Sequence, residues 1–382
     1  MTDTHTHIFT STYTADVSGV CSIMYELGGL TVLHDPSGCN STYTTHDEPR
    51  WYDSKSLMFV SGLDELTAVY GDDTVLIRNV KNAAKTLKPK FITLCGASIP
   101  HVIGFDFKGT ARLIEKETHI PVLPVRTDGL SSYIQGVGMA MREWIMRFAK
   151  EPSMTQKNCV NVLGVTPLDF TNQEHVNRML QTLQSLDWTI NTCFAMGDSF
   201  KNLEYILDAS TNLVVSSAGR MAARFMYQKY HRPYTEGIPI GKYMANQIHL
   251  KLKEAQDTGI SNYAYDENPD CGEILVIGEQ IEALSFMTAV NHSSFAKENH
   301  LKAYAIWPNA KGGFDEKDFM KRIQSSKYVI CDPLYKNCLH GSDTKLFAVP
   351  HIAYSGRIFL QKHVYFENKN FDINKFFKGD GK

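Results

Sequence analysis

The sequence predicts an α/β protein built from parallel sheets, and two observations carry that prediction. Short β-branched runs each end in a polar or glycine turn, and a helix-length stretch follows each of them. Apolar runs of four to eight residues alternating with helical segments are the signature of βαβ units. The alternation recurs along 382 residues, which at about 100–200 residues per domain makes room for two or three domains.

The first run, in GLTVLHDPSGC, stops at His34 and hands the chain to a turn that ends in Cys39. FITLCGASIPHVIGFD (91–106) is the next strand-turn-helix unit, with Cys95 near the end of its strand. CVNVLGVTPLD (159–169) and NLVVSSAGRMAARFMYQKY (212–230) follow, then GEILVIGEQIEALSFMTAV (272–290) and KYVICDPL (327–334). Polar, turn-rich stretches at FAKEPSMTQKN (148–158) and QDTGISNYAYDENPDCG (256–272) divide the series. The expected organisation is three Rossmann-like modules around a central cleft, at about 1–155, 156–268 and 269–382. The closing FFKGDGK reads as a frayed tail. In sheets of this kind ligands bind beyond the carboxyl ends of the strands, which is where Cys39, Cys95 and Cys331 are expected.

Composition excludes several classes. Hydrophobic residues make up 43% and charged residues 21%, a globular balance, and the formal net charge is −2. No basic excess or stripe points to nucleic acid. Apolar runs fall short of the roughly 18 residues a membrane span needs. MTDTHTHIFTSTYTADVSG has neither the basic region nor the apolar core of a signal peptide, so a cytoplasmic location is expected. GIPIGKY (237–243) has too few residues between its glycines for a P-loop and Tyr where Ser or Thr must bind magnesium. GEQIEA, after the strand at 274–278, lacks the G-x-G-x-x-G spacing, so neither ATP nor NAD is expected by these routes.

Eight cysteines are present without a CxxC pair, so the usual structural zinc pattern is missing. Disulfides are not expected in a large chain of this location, and buried free thiols are common. Cys159, Cys193 and Cys271 read as core or strand-start residues. Cys21, Cys39 and Cys95 stand apart because small residues flank them and let backbone approach a bulky ligand.

GGLTVLHDPSGC resembles the turn and Gly-Cys that hold a cluster cysteine in nitrogenase component 1 proteins. SGLDELTAVYGDDTVLIRNV (61–80) resembles that family's acidic residue before "VFG" and a helix, and LCGASIPHVIGFDF its third cysteine motif, with Ile103, Gly104 and Asp106 in the place of "IGDD". IPVLPVRTDGL (120–130) is similar to its following strand and loop, and HRPYTEGIPIG (231–241) to its "GIPY…PIG" segment. The resemblance implies an iron–sulfur cluster, 4Fe-4S or a larger P-type cluster, shared between two chains and ligated on this one by Cys21, Cys39 and Cys95. It implies a homodimer, or a heterodimer with a similar subunit, that receives electrons from an ATP-dependent iron–sulfur reductase resembling the nitrogenase iron protein. A small-molecule substrate would occupy the cleft, which also has the place for a second metal cofactor. The chain's length is closer to that of the cofactor-biosynthesis members than to a nitrogenase catalytic subunit.

VPHIAYSGR (349–357) resembles the family's late "H…YSG" segment, which implies that His351 ligates a cofactor or donates a proton. Cys331, at the end of the strand KYVIC, is the candidate substrate-facing thiol beside it, with Cys338 nearby. His34, His46 and His101 flank the cysteine motifs and are candidates for tuning hydrogen bonds. Arg126, Arg220 and Arg357 each follow a strand, and their convergence on one cleft would favour an anion. The reading that unites these features is a nitrogenase-like oxidoreductase. A scaffold for assembling a metal cofactor, and a small-molecule binding module without a cluster, stay open beside it.

Overall fold

The computed structural model describes residues 14–36, 48–52, 54–152, 155–308, 316–339 and 341–379. They form an α/β fold of three parallel sheets with flanking helices. The first sheet holds β1 (Leu30–His34), β2 (Leu57–Val60), β3 (Ile92–Gly96) and β4 (Val122–Pro124) in the order β2-β1-β3-β4. The second holds β5 (Gln156–Leu163), β6 (Thr189–Cys193), β7 (Ala209–Val214), β8 (Tyr234–Glu236) and β9 (Asn262–Tyr263) in the order β6-β5-β7-β8-β9. The third holds β10 (Ile274–Ile277), β11 (Ala303–Ile306), β12 (Tyr328–Cys331) and β13 (Lys345–Ala348) in the order β11-β10-β12-β13.

Each sheet is wound the same way. Its first strand lies between the second and the third, so the chain reverses direction across the sheet beside that first strand. Helices leaving the two neighbouring strands then depart to opposite faces and open a crevice at their carboxyl ends. β1, β3 and β10 are buried along their whole length, as expected for strands covered on both faces, and this is why their sequences read as continuous apolar runs.

Two helices set the centre. Helix Asp16–Met24 is buried throughout and packs on helix Tyr133–Phe148. They approach through glycines: a Cβ on Gly136 would lie 1.9 Å from the Asp16 carbonyl oxygen, and one on Gly19 would lie 2.3 Å from that of Tyr133. Helix Tyr133–Phe148 buries Val137, Ala140, Met141, Trp144 and Ile145, a helical spacing of one face. Helix Gln280–Asn291, apolar almost all round, is buried from Ile281 to Val290.

The C-terminal residues correct the frayed-tail expectation. Ile373–Lys378 is a helix, and Phe376 and Phe377 are buried. Phe377 stacks on Phe295 with ring centroids 4.1 Å apart and meets Phe347 edge-on at 4.8 Å. Partners contributed by distant strands and helices hold this end. Among the described residues no helix is long and apolar enough to cross a membrane.

Candidate functional site

Carboxyl ends of strands from different sheets meet around His351. β5 leads into the short helix Pro167–Phe170 and so delivers Asp169. β10 leads to Glu279, which caps helix Gln280–Asn291 by accepting from the amides of Ile281 and Glu282. Asp332 directly follows β12, and His351 follows β13. Tyr133, at the start of its helix, donates its hydroxyl proton to Asp169 Oδ1.

His351 Nε2 lies 3.3 Å from Asp169 Oδ1 and 3.5 Å from Glu282 Oε2, and the His351 and Asp169 side chains are each only 3% exposed. Neither ring nitrogen has a hydrogen-bond partner of good geometry, so these contacts are ion pairs rather than aligned hydrogen bonds. Asp332 holds the backbone from below, accepting from the His351 amide at 2.7 Å and from Ser355 Oγ at 2.8 Å. Burial alone would discharge the imidazole, but Asp169, Glu282 and Asp332 outweigh it and raise its pKa to about 9. Burial, assisted by Glu279, Glu367 and Asp169 against the opposing His351, lifts Glu282 to about 8. Burial also raises Glu279 and Asp332. The site therefore holds a cationic histidine beside a carboxyl group that is mostly protonated at neutral pH, an arrangement able to donate and store protons.

Ser217 donates its amide to Glu279 Oε1 at 3.0 Å and thus ties the second sheet to the third. Arg220 forms a two-pronged pair with Glu236, at 2.9 Å and 2.6 Å, and donates to Gln280. It is committed to bracing these elements. Arg126 is exposed, and Arg357 is half-buried, so the expected convergence of three arginines is not what the structure displays.

Cys331 is not brought to His351. Alternation along β12 turns it into a separate core cluster with Leu275, Tyr304, Phe319, Tyr335 and Cys338, while Asp332 faces His351. Burial pushes the Cys331 thiol well above its ordinary range.

Cys21 and Cys95 are brought together, but inside the hydrophobic core, among residues that include Val17, Val20, Leu33, Leu123 and Val125. They are 2% and 0% exposed. Cys95 Sγ is a weak donor to the Val32 carbonyl at 3.8 Å. Burial pushes both thiols far up, with the Glu48 charge adding to it at Cys21 and the Cys21 charge at Cys95. A cluster ligand must be a thiolate with room for iron beside it. As packed here, Cys21 and Cys95 are neutral core thiols and do not fit an iron–sulfur cluster. Cys39 and His46 lie outside the described residues. Among the described residues no three His, Cys, Asp or Glu side chains are grouped to hold a metal ion. Thiol-specific labelling followed by peptide mass spectrometry is expected to modify exposed Cys271 in the folded protein and to reach Cys21, Cys95 and Cys331 only on unfolding. Fast modification of Cys95 under native conditions would contradict its core placement.

Of the flanking histidines, His34 is buried, its Nδ1 2.9 Å from Ser61 Oγ and its ring against Phe105. Burial lowers its pKa to about 4, so it serves as a neutral polar group. His101 is exposed. Asp16 is a structural anchor that accepts from the Asp128 and Gly129 amides at 2.8 and 2.9 Å. Beside the first sheet, helices Glu65–Tyr70 and Ser98–Val102 flank a shallow apolar groove lined by Pro36, Leu63, Leu66, Ala68 and Ile99. Leu66, Val69, Tyr70 and Val102 stand 69–80% exposed there.

Sequence reasoning missed Asp169, Glu279, Glu282 and Asp332. Their signal was an acidic residue shortly after a buried strand, in GVTPLD, IGEQIE and ICD.

The family model described as nitrogenase component 1 type oxidoreductase matches residues 27–266. One of the two kinds of subunit of light-independent protochlorophyllide reductase, from Acaryochloris marina, is 21% identical over 314 residues, 74% of this chain and 60% of that protein. Its counterpart from Gloeothece citriformis is 30% identical over 114 residues, 30% of this chain and 22% of the relative. A nitrogenase molybdenum-iron protein beta chain from Methanothermobacter thermautotrophicus is 21% identical over 265 residues, 63% and 58% of the two chains. This chain thus spans between 22% and 60% of the length of these curated relatives. A solved nitrogenase Cp1 structure at pH 6.5 superposes with a TM-score of 0.66 and 14% identity, covering 95% of this chain and 93% of the other, a likeness of fold.

Proposed function

Because the chain belongs to the nitrogenase component 1 type oxidoreductase family, we propose that it is one subunit of a multi-chain reductase and that its His351 junction manages protons for the reduction of a small molecule. The observation that carries this reading is His351 held between Asp169 and Glu282 at the carboxyl ends of strands from two sheets. Reduction of a small molecule consumes protons together with electrons. A buried imidazolium beside a protonated carboxyl group can deliver them where water is excluded. The electrons are assigned to a partner of the ATP-dependent iron–sulfur reductase type, and Cys21 and Cys95 take no part in the transfer.

The exposed Leu66, Val69, Tyr70 and Val102 support assembly with another protein, since an isolated chain seldom displays large apolar side chains so closely grouped. The test is anaerobic reconstitution with the cognate iron–sulfur reductase, reading ATP-dependent oxidation of that partner and its association with this chain. Electron flow is expected with the wild type. Val102→Asp and Tyr70→Asp are expected to weaken association by roughly tenfold or more, the scale of a buried interface anchor. No association and no electron flow in the wild type would overturn the proposal.

Burial of Cys21 and Cys95 favours a second reading, a subunit that keeps the family architecture and binds its ligand without a cluster on these thiols. Iron and acid-labile sulfide measured on anaerobically purified protein separate the cases. Iron lost in Cys95→Ser would refute the core-thiol assignment, and iron-free protein that still completes a reducing assembly would support it.

A further inference from the structure

A second buried titratable group lies beside the junction. His175, near the start of helix Gln173–Gln184, has Nδ1 2.6 Å from Glu367 Oε1, and the two side chains are 4% and 2% exposed. His175 Nε2, Glu367 Oε2 and the Nε2 of neighbouring His363 are all buried without a hydrogen-bond partner. Each such atom costs about 1–3 kcal/mol, and native structures leave few of them. Here they are adjacent and in sequence. The His363 ring meets His175 edge-on with centroids 5.6 Å apart, and His363 itself is only half-buried. At the inner end the Glu367 charge acts on Glu282, which lies 3.5 Å from His351.

We propose that His363, His175, Glu367 and Glu282 form a proton-transfer line from the surface to His351. The proposal rests on the reading of the His351 junction as a proton-handling site. A purely structural His–Glu pair has no use for a free nitrogen on its outer side and a free oxygen on its inner side, whereas a relay needs both. A proton reaches His175 Nε2 by way of His363, and the Nδ1 proton passes to Glu367 Oε1. Glu367 then gives its proton to Glu282, directly or across one water, and Glu282 gives it to His351. Each transfer breaks one N–H or O–H bond and forms another, one proton enters for each delivered, and no electrons move. The groups around the line are consistent with this. Glu282 is faced by His351, Glu279, Glu367 and Asp169, which with burial keep it ready to carry a proton near neutral pH. Burial and the nearby His175 lower His363 to about 4, so it enters the line as a neutral acceptor.

The experiment is solvent exchange of the His351 ring N–H, followed by NMR on full-length protein labelled with ¹⁵N-histidine. Glu367→Gln, which preserves shape, is expected to slow that exchange by roughly tenfold or more, and His363→Gln, at a half-exposed position, to slow it severalfold. General loosening of the fold would speed exchange, so slowing separates a lost relay from a structural defect. If Glu367→Gln does not fold, His363→Gln carries the same test. Unchanged or faster exchange in the folded variants would overturn the relay. The readout requires no turnover. Slowed exchange in a chain that never supports reduction would leave the relay standing and remove the reductase reading, whereas turnover with unchanged exchange would remove the relay alone.

Discussion

Replacing His351 by Gln is expected to destabilise the protein by about 3 kcal/mol near neutral pH. Nearly all of that loss is expected to disappear as the pH rises past about 9. His351 is the cation that faces Asp169, Glu282 and Asp332, and without it buried carboxylates confront one another. Its pKa is raised on folding from 6.5 to about 9, so its contribution is complete below the lower value and is lost as pH rises through the upper one. Glu282, raised from 4.5 to about 8, adds a decline in the same direction, because the folded state holds a proton there that the unfolded chain releases. Wild-type stability is therefore expected to fall between about pH 6 and 9, with a shallower slope in the variant. Melting temperatures of both proteins across that range decide the matter. A loss that stays constant from pH 6 to 10 would show that His351 acts through packing rather than charge.

The second large effect concerns Arg50, which lies well away from His351 in the fold. Its guanidinium contacts Glu48 at 2.7 and 3.0 Å, Glu26 at 2.8 Å, and the carbonyls of Ser22 and Ala195 at 2.7 and 3.0 Å. One side chain thus ties residues 48–52 to the helix that bears Cys21 and to the end of the second sheet. Arg50 and Glu48 side chains are 10% and 5% exposed. Arg50→Leu strands Glu48 in the interior and is expected to cost about 3–5 kcal/mol. Adding Glu48→Gln is expected to restore part of that loss, because a neutral amide tolerates the site better than an uncompensated charge. Urea unfolding of the two single variants and the double variant gives the coupling. Strict additivity would mean that the pair is not the source of the stability.

The strands were legible because burial on both faces leaves a local mark. The cores of β3, β10 and β12 are runs such as ITLC, ILVI and YVIC, and a turn residue or an acid follows them. The proximity of Cys21 to Cys95 was legible too, since both belong to the first strand-turn-helix units. Their role was not. Whether a thiol at a strand end points to an opening or into the core depends on the helix laid across it, and here the fully buried Asp16–Met24 helix closes over Cys95. The same alternation sent Cys331 to one face and Asp332 to the other.

His351 was named from a short motif, but its partners come from positions as distant in sequence as Tyr133, Asp169, Glu282 and Glu367. The C-terminal phenylalanines looked like a tail because Phe295, Tyr328 and Phe347, which bury them, are equally remote in the chain. By itself the sequence determined the α/β class, the parallel strands and the histidine, because periodicity and turn chemistry act over a few residues. Tertiary structure alone decided which thiols are core and which carboxylates surround His351. Those outcomes depend on how three separately wound sheets dock, and burial, which sets both packing and proton affinity, exists only after they have done so.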